Sequence, residues 1–473
     1  MTSSEHCVYC DDRKDYELWV QCDECPQWVH VKCVPIEYIS SGSYPTKSSQ
    51  ILQFICYKHG KAEAKLAVKG RPKKAVAARG KAKGMGQERK LQRYRLRARE
   101  QLDYIALNEG QDKRLKHQHP HIEPFLDCFQ KWECTDGIIT SQQLHREFNR
   151  ISSPKRVVDP QNSGIRVPDI DVAQLTKILG EDHTLDVMDV QSQQNERWTM
   201  KQWNDYYTHT NPDDRDRIRN VISLEISHVP NFLTDLKRPQ AVEDNDLVDL
   251  VWPDPTPQDV GEKPKVKKYI LMSVGNAYTD FHLDFAGTSV YYSIVKGAKK
   301  FLLFPPTEYN LKRYKEWCDD DNQPFIFLGN NLEQGLAFNL KAGDLFLIPC
   351  GFIHAVYTPE DSFIVGGNFL SLRDLSTHLQ IVKIEQETKV SKRFTFPKFD
   401  IVMGLTCEWI LADPGIRIKR TGLQHITCLL DYLKDSKIKY KPMKYHSKSI
   451  MLSNLEKLTR LTSNDESTSY RRC

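Results

Sequence analysis

Three residues, His282, Asp284 and His354, have the side-chain types and spacing of a metal centre. The first two form a His-x-Asp pair, and the second histidine follows much later in the chain. Two neutral imidazoles and one carboxylate make the facial triad that holds Fe(II) and leaves coordination positions open for a co-substrate and dioxygen. This pattern points to an oxygenase. The alternative is that both histidines are satisfied core residues.

These residues lie among segments whose composition predicts β-strands. The pair follows Tyr269–Val274 and precedes Ser289–Val295, two runs rich in β-branched and aromatic residues. The second histidine ends Gly343–His354, which has the pattern of a strand followed by a proline-glycine turn. Strands far apart in sequence bring their ends together only in a closed barrel or sandwich. We therefore expect a double-stranded β-helix, of the jelly-roll or cupin-like kind, with iron at its open end.

A lysine, Lys299, falls in the same strand-rich region, where a buried ammonium would be costly without an anionic partner. A dicarboxylate such as 2-oxoglutarate would supply that partner. Its keto-acid end would chelate the iron, and its far carboxylate would reach Lys299 and the hydroxyl of Thr279. The coincidence of triad, lysine and strands argues against the reading of the histidines as core residues.

The segment Tyr278–Ser289, with the sequence YTDFHLDFAGTS, resembles the signature of the Jumonji C (JmjC) histone lysine demethylases. Within that group it is most similar to lysine demethylase family seven, whose members carry an N-terminal plant homeodomain (PHD) finger. Three further segments support the resemblance: Asn220–Ser227, Lys296–Lys299 and Gly366–Phe369. Together they extend it over most of the chain between residues 195 and 375.

The resemblance implies a catalytic centre in which His282, Asp284 and His354 hold Fe(II). Lys299 and Thr279 would bind 2-oxoglutarate, and further hydrogen bonds would come from Tyr292, Asn368 and Asn220. Tyr269 would form a wall of the substrate pocket. The implied reaction removes methyl groups, mainly from dimethylated lysine nine and lysine twenty-seven of histone H3, which would make the protein a transcriptional activator. The alternatives are a 2-oxoglutarate-dependent protein hydroxylase and a non-catalytic chromatin reader or scaffold.

The N-terminal residues carry an independent signal, because eight cysteine and histidine residues stand there in four closely spaced pairs. Donors of these types in groups of four fit two structural Zn(II) ions, and a segment this small needs them to fold. The resemblance to a PHD finger implies that the pairs interleave. The two implied sets are Cys7, Cys10, His30 and Cys33 for one zinc, and Cys22, Cys25, Cys56 and His59 for the other. A RING finger has a similar brace but a different ligand order.

Two tryptophans of this finger, Trp19 and Trp28, occupy positions that form walls of the methyl-lysine cage in related fingers, and Tyr16 is the expected third wall. Aromatic faces attract a methylated ammonium through cation–π contact. The expected ligand is trimethylated lysine four on the tail of histone H3. The alternative is that both tryptophans are only structural.

Charge is distributed unevenly along the chain. The net charge is +5, yet residues 61–99 alone hold 15 lysines and arginines against two glutamates, so the remainder is net acidic. Within this segment Lys69–Lys74 resembles both an AT-hook core and a nuclear import signal. We expect a nuclear protein that acts on nucleosomes, with non-specific, salt-sensitive DNA contact through residues 61–99. The alternative is a solvated linker that carries only an import signal.

These patterns divide the chain into five parts: a PHD finger (1–60), a basic linker that is partly flexible and partly helical (61–114), a JmjC domain with an N-terminal extension (115–374), a helical domain (375–462) and a disordered tail (463–473). Leu452, Leu455, Leu458 and Leu461 form a stripe that favours a bundle core over a partner-binding zipper. The chain opens with no apolar signal segment and holds no apolar run long enough to span a bilayer, so we expect no membrane association.

Overall fold

The computed structural model describes residues 18–21, 28–34, 39, 44, 51–55, 65–68, 119–133, 137–258 and 260–469. The chain divides into two compact units, Met1–Arg99 and Glu100–Cys473, and each is described by itself. Among the residues that the structure describes, no helix combines the length and the apolar character needed to cross a membrane.

The first unit contains two small antiparallel ladders. Strand β1 (Trp19–Gln21) pairs with β2 (Trp28–His30), and β3 (Ile51–Ile55) pairs with β4 (Lys65–Val68). Phe54 is buried. Strand β4 lies in the segment for which composition predicts a flexible linker. Composition averages over that whole segment and does not register that a short run within it can pair with the end of the finger.

The second unit is built around a mixed sheet to which eleven strands of the described residues belong. Its strands are β5 (Ile138–Ile139), β6 (Lys155–Val157), β7 (Thr184–Asp189), β8 (Gln194–Thr199), β9 (Arg219–Glu225), β10 (Tyr269–Ser273), β11 (Ala277–His282), β12 (Ser289–Phe304), β13 (Leu336–Lys341), β14 (Leu345–Ile348) and β15 (Ile353–Phe369).

Two long strands, β12 and β15, run antiparallel along almost their whole length and hold the sheet together. Strand β12 also pairs with β13 and β14, while β15 also pairs with β10 and β11. Register shifts between Ile294 and Lys300 interrupt the β12–β15 ladder, and bulges of this kind bend a strand sharply. The long strands can therefore serve both layers of the fold, and the expected cupin-like double-stranded β-helix of a JmjC domain is confirmed.

The interior of this β-helix is filled by inward-facing apolar side chains. Val290, Ile294, Phe301, Phe346 and Ile364 are all buried in one cluster. Three of them, Val290, Phe301 and Ile364, also line a cavity of this unit. The fold thus places apolar side chains in the wall of that cavity.

Helices surround the sheet and form a separate layer after β15. They are α1 (Ile122–Lys131), α2 (Ser141–Glu147), α3 (Val172–Leu179), α4 (Met200–Asn204), α5 (Pro230–Asp235), α6 (Gln240–Glu243), α7 (Leu247–Val251), α8 (Glu308–Cys318), α9 (Leu375–Glu387), α10 (Phe399–Ala412), α11 (Pro414–Thr421), α12 (Leu423–Lys434) and α13 (Lys448–Ser469).

The last five helices share a hydrophobic core with one another. Leu452 and Leu455 are buried in it and Leu458 packs against it, so the predicted role of this stripe as a bundle core is confirmed. Helix α13 continues to Ser469. It thereby includes most of the segment, from residue 463 onwards, that is predicted from the sequence to be a disordered tail.

Candidate active site

His282 and His354 form a cross-strand pair between β11 and β15, and their ring centroids lie 4.2 Å apart. Asp284 follows β11 by two residues, and its Oδ2 lies 3.9 Å from Nε2 of His354. The three side chains predicted to bind iron therefore converge at one point. The register of two neighbouring strands brings them together although they are widely separated in sequence.

Hydrogen bonds to the backbone fix which ring nitrogen of each histidine donates a proton. Nδ1 of His282 bonds the carbonyl oxygen of Asp280 at 2.9 Å, and Nδ1 of His354 bonds that of Phe352 at 3.0 Å. A carbonyl only accepts, so each Nδ1 carries a proton, and in the neutral ring each Nε2 then presents a lone pair. This is the tautomer that a metal ligand requires.

His354 is completely buried, and its Nε2 has no hydrogen-bond partner among the residues that the structure describes. Such an orphaned buried nitrogen is costly unless it coordinates something. Burial and the neighbouring His282 lower the pKa of His354 to about 4, so the ring is neutral at physiological pH. Two imidazoles beside a carboxylate fit the donor set of Fe(II).

Asn368, near the end of β15, holds Asp284 in position. Its Nδ2 donates to Oδ1 of Asp284 at 3.1 Å and to the hydroxyl of Thr288 at 2.8 Å. The resemblance assigns Asn368 to 2-oxoglutarate. The structure places its amide on the carboxylate of the triad, where it leaves Oδ2 facing His354.

Helix α9 holds the turn after Asp284 through both backbone polar groups of one residue, Ala286. The N–H of Ala286 donates to Oε1 of Glu385 at 2.6 Å, and its carbonyl accepts from Nδ1 of His378 at 2.9 Å. Burial raises the pKa of Glu385 to about 7. Gly287 comes next, and a Cβ atom there would lie 2.3 Å from Ile381 of the same helix. The C-terminal helical layer therefore packs directly against the loop that carries Asp284.

Lys299 on β12 lies buried at the opposite end of the site. Its ammonium donates to the hydroxyls of Ser273 and Thr358, both at 2.6 Å, which leaves its third proton available. Burial lowers the pKa of Lys299 to about 7. Asn220 extends this polar group, because its Nδ2 donates to the hydroxyl of Thr279 at 3.1 Å while its Oδ1 accepts from Ser273.

One cavity of about 650 Å³ joins the triad to this polar group. His282 and Asp284 line this cavity, whereas His354 does not. The other residues of this unit predicted to serve the site all line it: Tyr269, Thr279, Tyr292, Lys299, Asn220 and Asn368. The cavity is large enough for a small dicarboxylate and a lysine side chain. Its apolar walls, among them Phe301 and Ile364, would exclude water from the space between the triad and Lys299.

Sequence reasoning missed several contributors to this site, among them two hydroxyl residues and one segment of the cavity wall. Ser273 and Thr358 receive the hydrogen bonds of Lys299, and the segment 392–397 after helix α9 forms part of the wall. The one available signal was Ser273, a polar residue in an otherwise apolar strand. The others depend on cross-strand register and on the path of the chain after α9.

In the first unit the structure describes two of the expected zinc ligands. Nδ1 of His30 and Sγ of Cys33 lie 3.7 Å apart, close to the separation of two donors on one tetrahedral Zn(II) ion, given bonds of roughly 2.0 and 2.3 Å. The other expected ligands lie outside the described residues: Cys7, Cys10, Cys22, Cys25, Cys56 and His59.

The two expected tryptophans of the methyl-lysine cage stand on the β1–β2 ladder. Trp19 pairs with His30 and Trp28 pairs with Gln21, so their backbone positions are diagonal neighbours. Tyr16 lies outside the described residues.

Comparison with known proteins gives matches both for the N-terminal finger and for nearly the whole chain. The family model described as JHD1, PHD-type zinc finger matches residues 6–60. The proteins named JmjC domain-containing histone demethylation protein 1 from Kluyveromyces lactis and Saccharomyces cerevisiae are 51% and 46% identical to this chain. These alignments cover 95% and 96% of the chain and 97% and 98% of the relatives.

The protein of the same name from Candida glabrata is 46% identical over 77% of this chain and 93% of the relative. None of these three names refers to lysine demethylase family seven, so they support the JmjC and PHD resemblance at the broader level. With identity this high over nearly the full length, the chain belongs to the JmjC domain-containing histone demethylation protein 1 family.

Proposed function

We propose that this chain is an Fe(II)- and 2-oxoglutarate-dependent histone lysine demethylase. The observation that carries the proposal is the orphaned Nε2 of buried His354, which lies 3.9 Å from Oδ2 of Asp284. Asp284 and His282 line a cavity together with buried Lys299. The names of the relatives, which refer to histone demethylation, point the same way.

In this proposal His282, Asp284 and His354 hold the iron, and Lys299 pairs with the far carboxylate of 2-oxoglutarate. Bound together, Fe(II) and 2-oxoglutarate would activate dioxygen, with one oxygen atom hydroxylating an N-methyl group and the other going to succinate as 2-oxoglutarate loses carbon dioxide. The hydroxymethyl group would then leave as formaldehyde. The protein positions the metal ligands and the co-substrate and excludes water from the cavity. Asn368 orients Asp284, and Ser273 and Thr358 aim the ammonium of Lys299 into the cavity.

The substrate is histone H3, and the positions carried forward from the family resemblance are dimethylated lysine nine and lysine twenty-seven. Tyr269 and Phe285 line the cavity with Asp284 and would contact the substrate side chain there. Because hydroxylation of a methyl group needs no lone pair on nitrogen, the shape of this pocket would set the methyl state that is accepted.

The finger completes the proposal as a reader of trimethylated lysine four. Two Zn(II) ions would stabilise it, the first through Cys7, Cys10, His30 and Cys33 and the second through Cys22, Cys25, Cys56 and His59. Residues 61–99 would add electrostatic contact with nucleosomal DNA. A nuclear protein that reads an active mark and removes repressive ones would act in transcriptional activation.

The test incubates the purified full-length chain with Fe(II), 2-oxoglutarate and H3 peptides that are dimethylated at one lysine at a time, across every lysine of the tail. Mass spectrometry should show the loss of one methylene mass per methyl removed at lysine nine and lysine twenty-seven. Loss at a different lysine would overturn the assigned positions and keep the demethylase. A gain of one oxygen without loss would identify a protein hydroxylase.

A matched pair of histidine variants controls this experiment. His282→Ala should abolish turnover, whereas His209→Ala, which removes an exposed histidine far from the triad in sequence, should leave it unchanged. If the wild-type chain binds the H3 peptides but leaves every mass unaltered, the non-catalytic reader replaces the enzyme.

A further inference from the structure

Strand β11 contains a bulge between the residue predicted to bind 2-oxoglutarate and the first metal ligand. Ala277, Tyr278 and Thr279 pair in regular register with β15, and His282 then pairs with His354 one residue out of step. Asp280 and Phe281 therefore stand together opposite a single residue of β15, Ala355. This is the two-against-one arrangement of a β-bulge.

The bulge is what lets Thr279 and His282 share one face of the strand. Residues three apart in a regular strand point to opposite faces, because side chains alternate with a period of two. Both residues nevertheless line the active-site cavity. Phe281 instead packs outside it, with its ring 5.3 Å from that of Phe327. Without the extra residue, either the 2-oxoglutarate contact or the metal ligand would face away from the cavity.

The carboxylate of Asp280 satisfies the polar groups that the bulge exposes. Oδ1 accepts from the N–H of Phe281 at 2.8 Å and from the hydroxyl of Tyr278 at 2.9 Å, and Oδ2 lies 3.3 Å from Nδ1 of His121. The carbonyl of the same residue fixes the tautomer of His282. One residue thus stabilises the bulge with its side chain and orients the metal ligand with its backbone.

Elements from outside the β-helix anchor this carboxylate. His121 lies buried just before helix α1, and its neighbour His119 stacks on Tyr278 with ring centroids 4.8 Å apart. From the β7–β8 turn, Gln193 donates to the carbonyl of Tyr278 at 3.1 Å. The region before the JmjC core therefore contacts the face of β11 that is turned away from the cavity and from the proposed iron site.

We propose that Asp280, held by His121 and Tyr278, is a positioning residue that sets the bulge of β11 and thereby the direction of His282 towards the metal. This inference rests on the proposed iron site and adds a role that the triad does not reveal. It explains why a carboxylate stands between Thr279 and His282 although it faces away from the cavity. It also gives the N-terminal extension a part in metal binding.

The experiment measures binding of Mn(II), a redox-inert probe, to the apo full-length chain in the presence of 2-oxoglutarate by electron paramagnetic resonance. Asp280→Ala should weaken Mn(II) binding by roughly 10- to 100-fold, the usual effect of losing an outer-shell partner of a metal ligand. Asp280→Asn keeps an acceptor for the N–H of Phe281 and should restore most of the affinity. Asp186→Ala removes an exposed carboxylate from β7 and serves as the matched control.

A second readout keeps the inference testable if Asp280→Ala folds poorly. Nitrogen-15 NMR of labelled histidines should show His282 with its proton on Nδ1 in the wild-type apo chain, and a loss of that preference in Asp280→Ala or His121→Ala. Affinity for Mn(II) and a tautomer that both match wild type in a folded Asp280→Ala chain would overturn the positioning role. Failure of the wild-type chain to bind Mn(II) would instead overturn the iron site itself.

Discussion

Glu385 accepts a hydrogen bond from the backbone N–H of Ala286 at 2.6 Å, so a helix of the C-terminal layer holds the turn that carries the metal-binding carboxylate. Ala286 has a positive φ of 51°, a conformation that costs a non-glycine residue of the order of 1–3 kcal/mol and persists only when its surroundings enforce it. Glu385 and His378 supply that enforcement from α9. The helical layer is therefore part of the construction of the site.

Replacement of Glu385 by Ala should loosen this turn and weaken metal binding. The buried N–H of Ala286 would lose its acceptor, at a cost of about 1–3 kcal/mol in the free energy of unfolding. Mn(II) affinity should fall together with stability, while Glu385→Gln, which retains an acceptor oxygen, should lie close to wild type in both. Chemical denaturation and Mn(II) titration measure the two effects. A Glu385→Ala chain with unchanged stability and metal affinity would show that α9 does not hold the turn.

Affinity for 2-oxoglutarate should depend on pH through Lys299. Burial lowers the pKa of this lysine to about 7, and the bound carboxylate would raise it again because an anion favours the charged form. Below pH 7 the ammonium is present before binding and the affinity should be constant. Above pH 7 binding must take up a proton, so the affinity should fall by about tenfold per pH unit until the pKa of the complex is reached.

Isothermal titration of 2-oxoglutarate into the Mn(II)-loaded chain between pH 6 and pH 9 would measure this dependence. Lys299→Arg provides the control, because a guanidinium stays charged throughout that range. Its affinity should be weaker but independent of pH. A wild-type affinity that stays flat to pH 9 would contradict the assignment of Lys299 to the far carboxylate.

Loss of the hydroxyl of Thr358 or Ser273 should change the KM for 2-oxoglutarate more than kcat. Thr358→Val keeps the shape of the side chain but removes one of the two hydroxyls that hold the ammonium of Lys299. We expect KM for 2-oxoglutarate to rise by roughly tenfold, since a hydrogen bond to a charged group contributes about 1.5–3 kcal/mol, and kcat to change little. Steady-state kinetics at saturating peptide separates the two constants. A fall in kcat at unchanged KM would mean that Thr358 acts on the reacting end of the cavity.

Much of the site follows from residue types and spacing alone. The His-x-Asp pair, the second histidine and Lys299 each stand out because a metal ligand or a buried cation requires a particular side chain in a strand-rich context. Periodicity also predicts helices well where one face is apolar, as for the leucine stripe that lies in α13 and contributes to the helical core. Local chemistry and local periodicity are properties that a sequence displays directly.

The parts that could not be predicted depend on register and on long-range packing. Thr358 reaches Lys299 only because β12 and β15 pair with several register shifts, and nothing in either strand alone encodes those shifts. Asn368 has a side chain suited equally to a co-substrate or to a carboxylate, and only the three-dimensional path of β15 brings it to Asp284. Strand β4 escaped prediction because four residues cannot outweigh the composition of the basic segment around them.

Gly297 should be the least replaceable residue of the irregular stretch of β12 that delivers Lys299 to the cavity. It has a positive φ of 77°, and a Cβ atom there would lie 2.2 Å from the carbonyl oxygen of Asp361. Gly343 also has a positive φ, of 92°, but a Cβ atom there would meet nothing within 4 Å. The two glycines therefore share a left-handed backbone and differ in the space around them.

Gly343→Ala should lower the free energy of unfolding by about 1 kcal/mol through backbone strain alone. Gly297→Ala adds a clash with backbone that cannot rotate away, so its loss should be roughly 3 kcal/mol or more. Denaturant titration of both variants gives the difference. Because relief of the clash would require β12 and β15 to separate beside Lys299, the folded fraction of Gly297→Ala should also bind 2-oxoglutarate more weakly than Gly343→Ala. Equal stability losses at the two positions would show that β12 shifts to accommodate the methyl group.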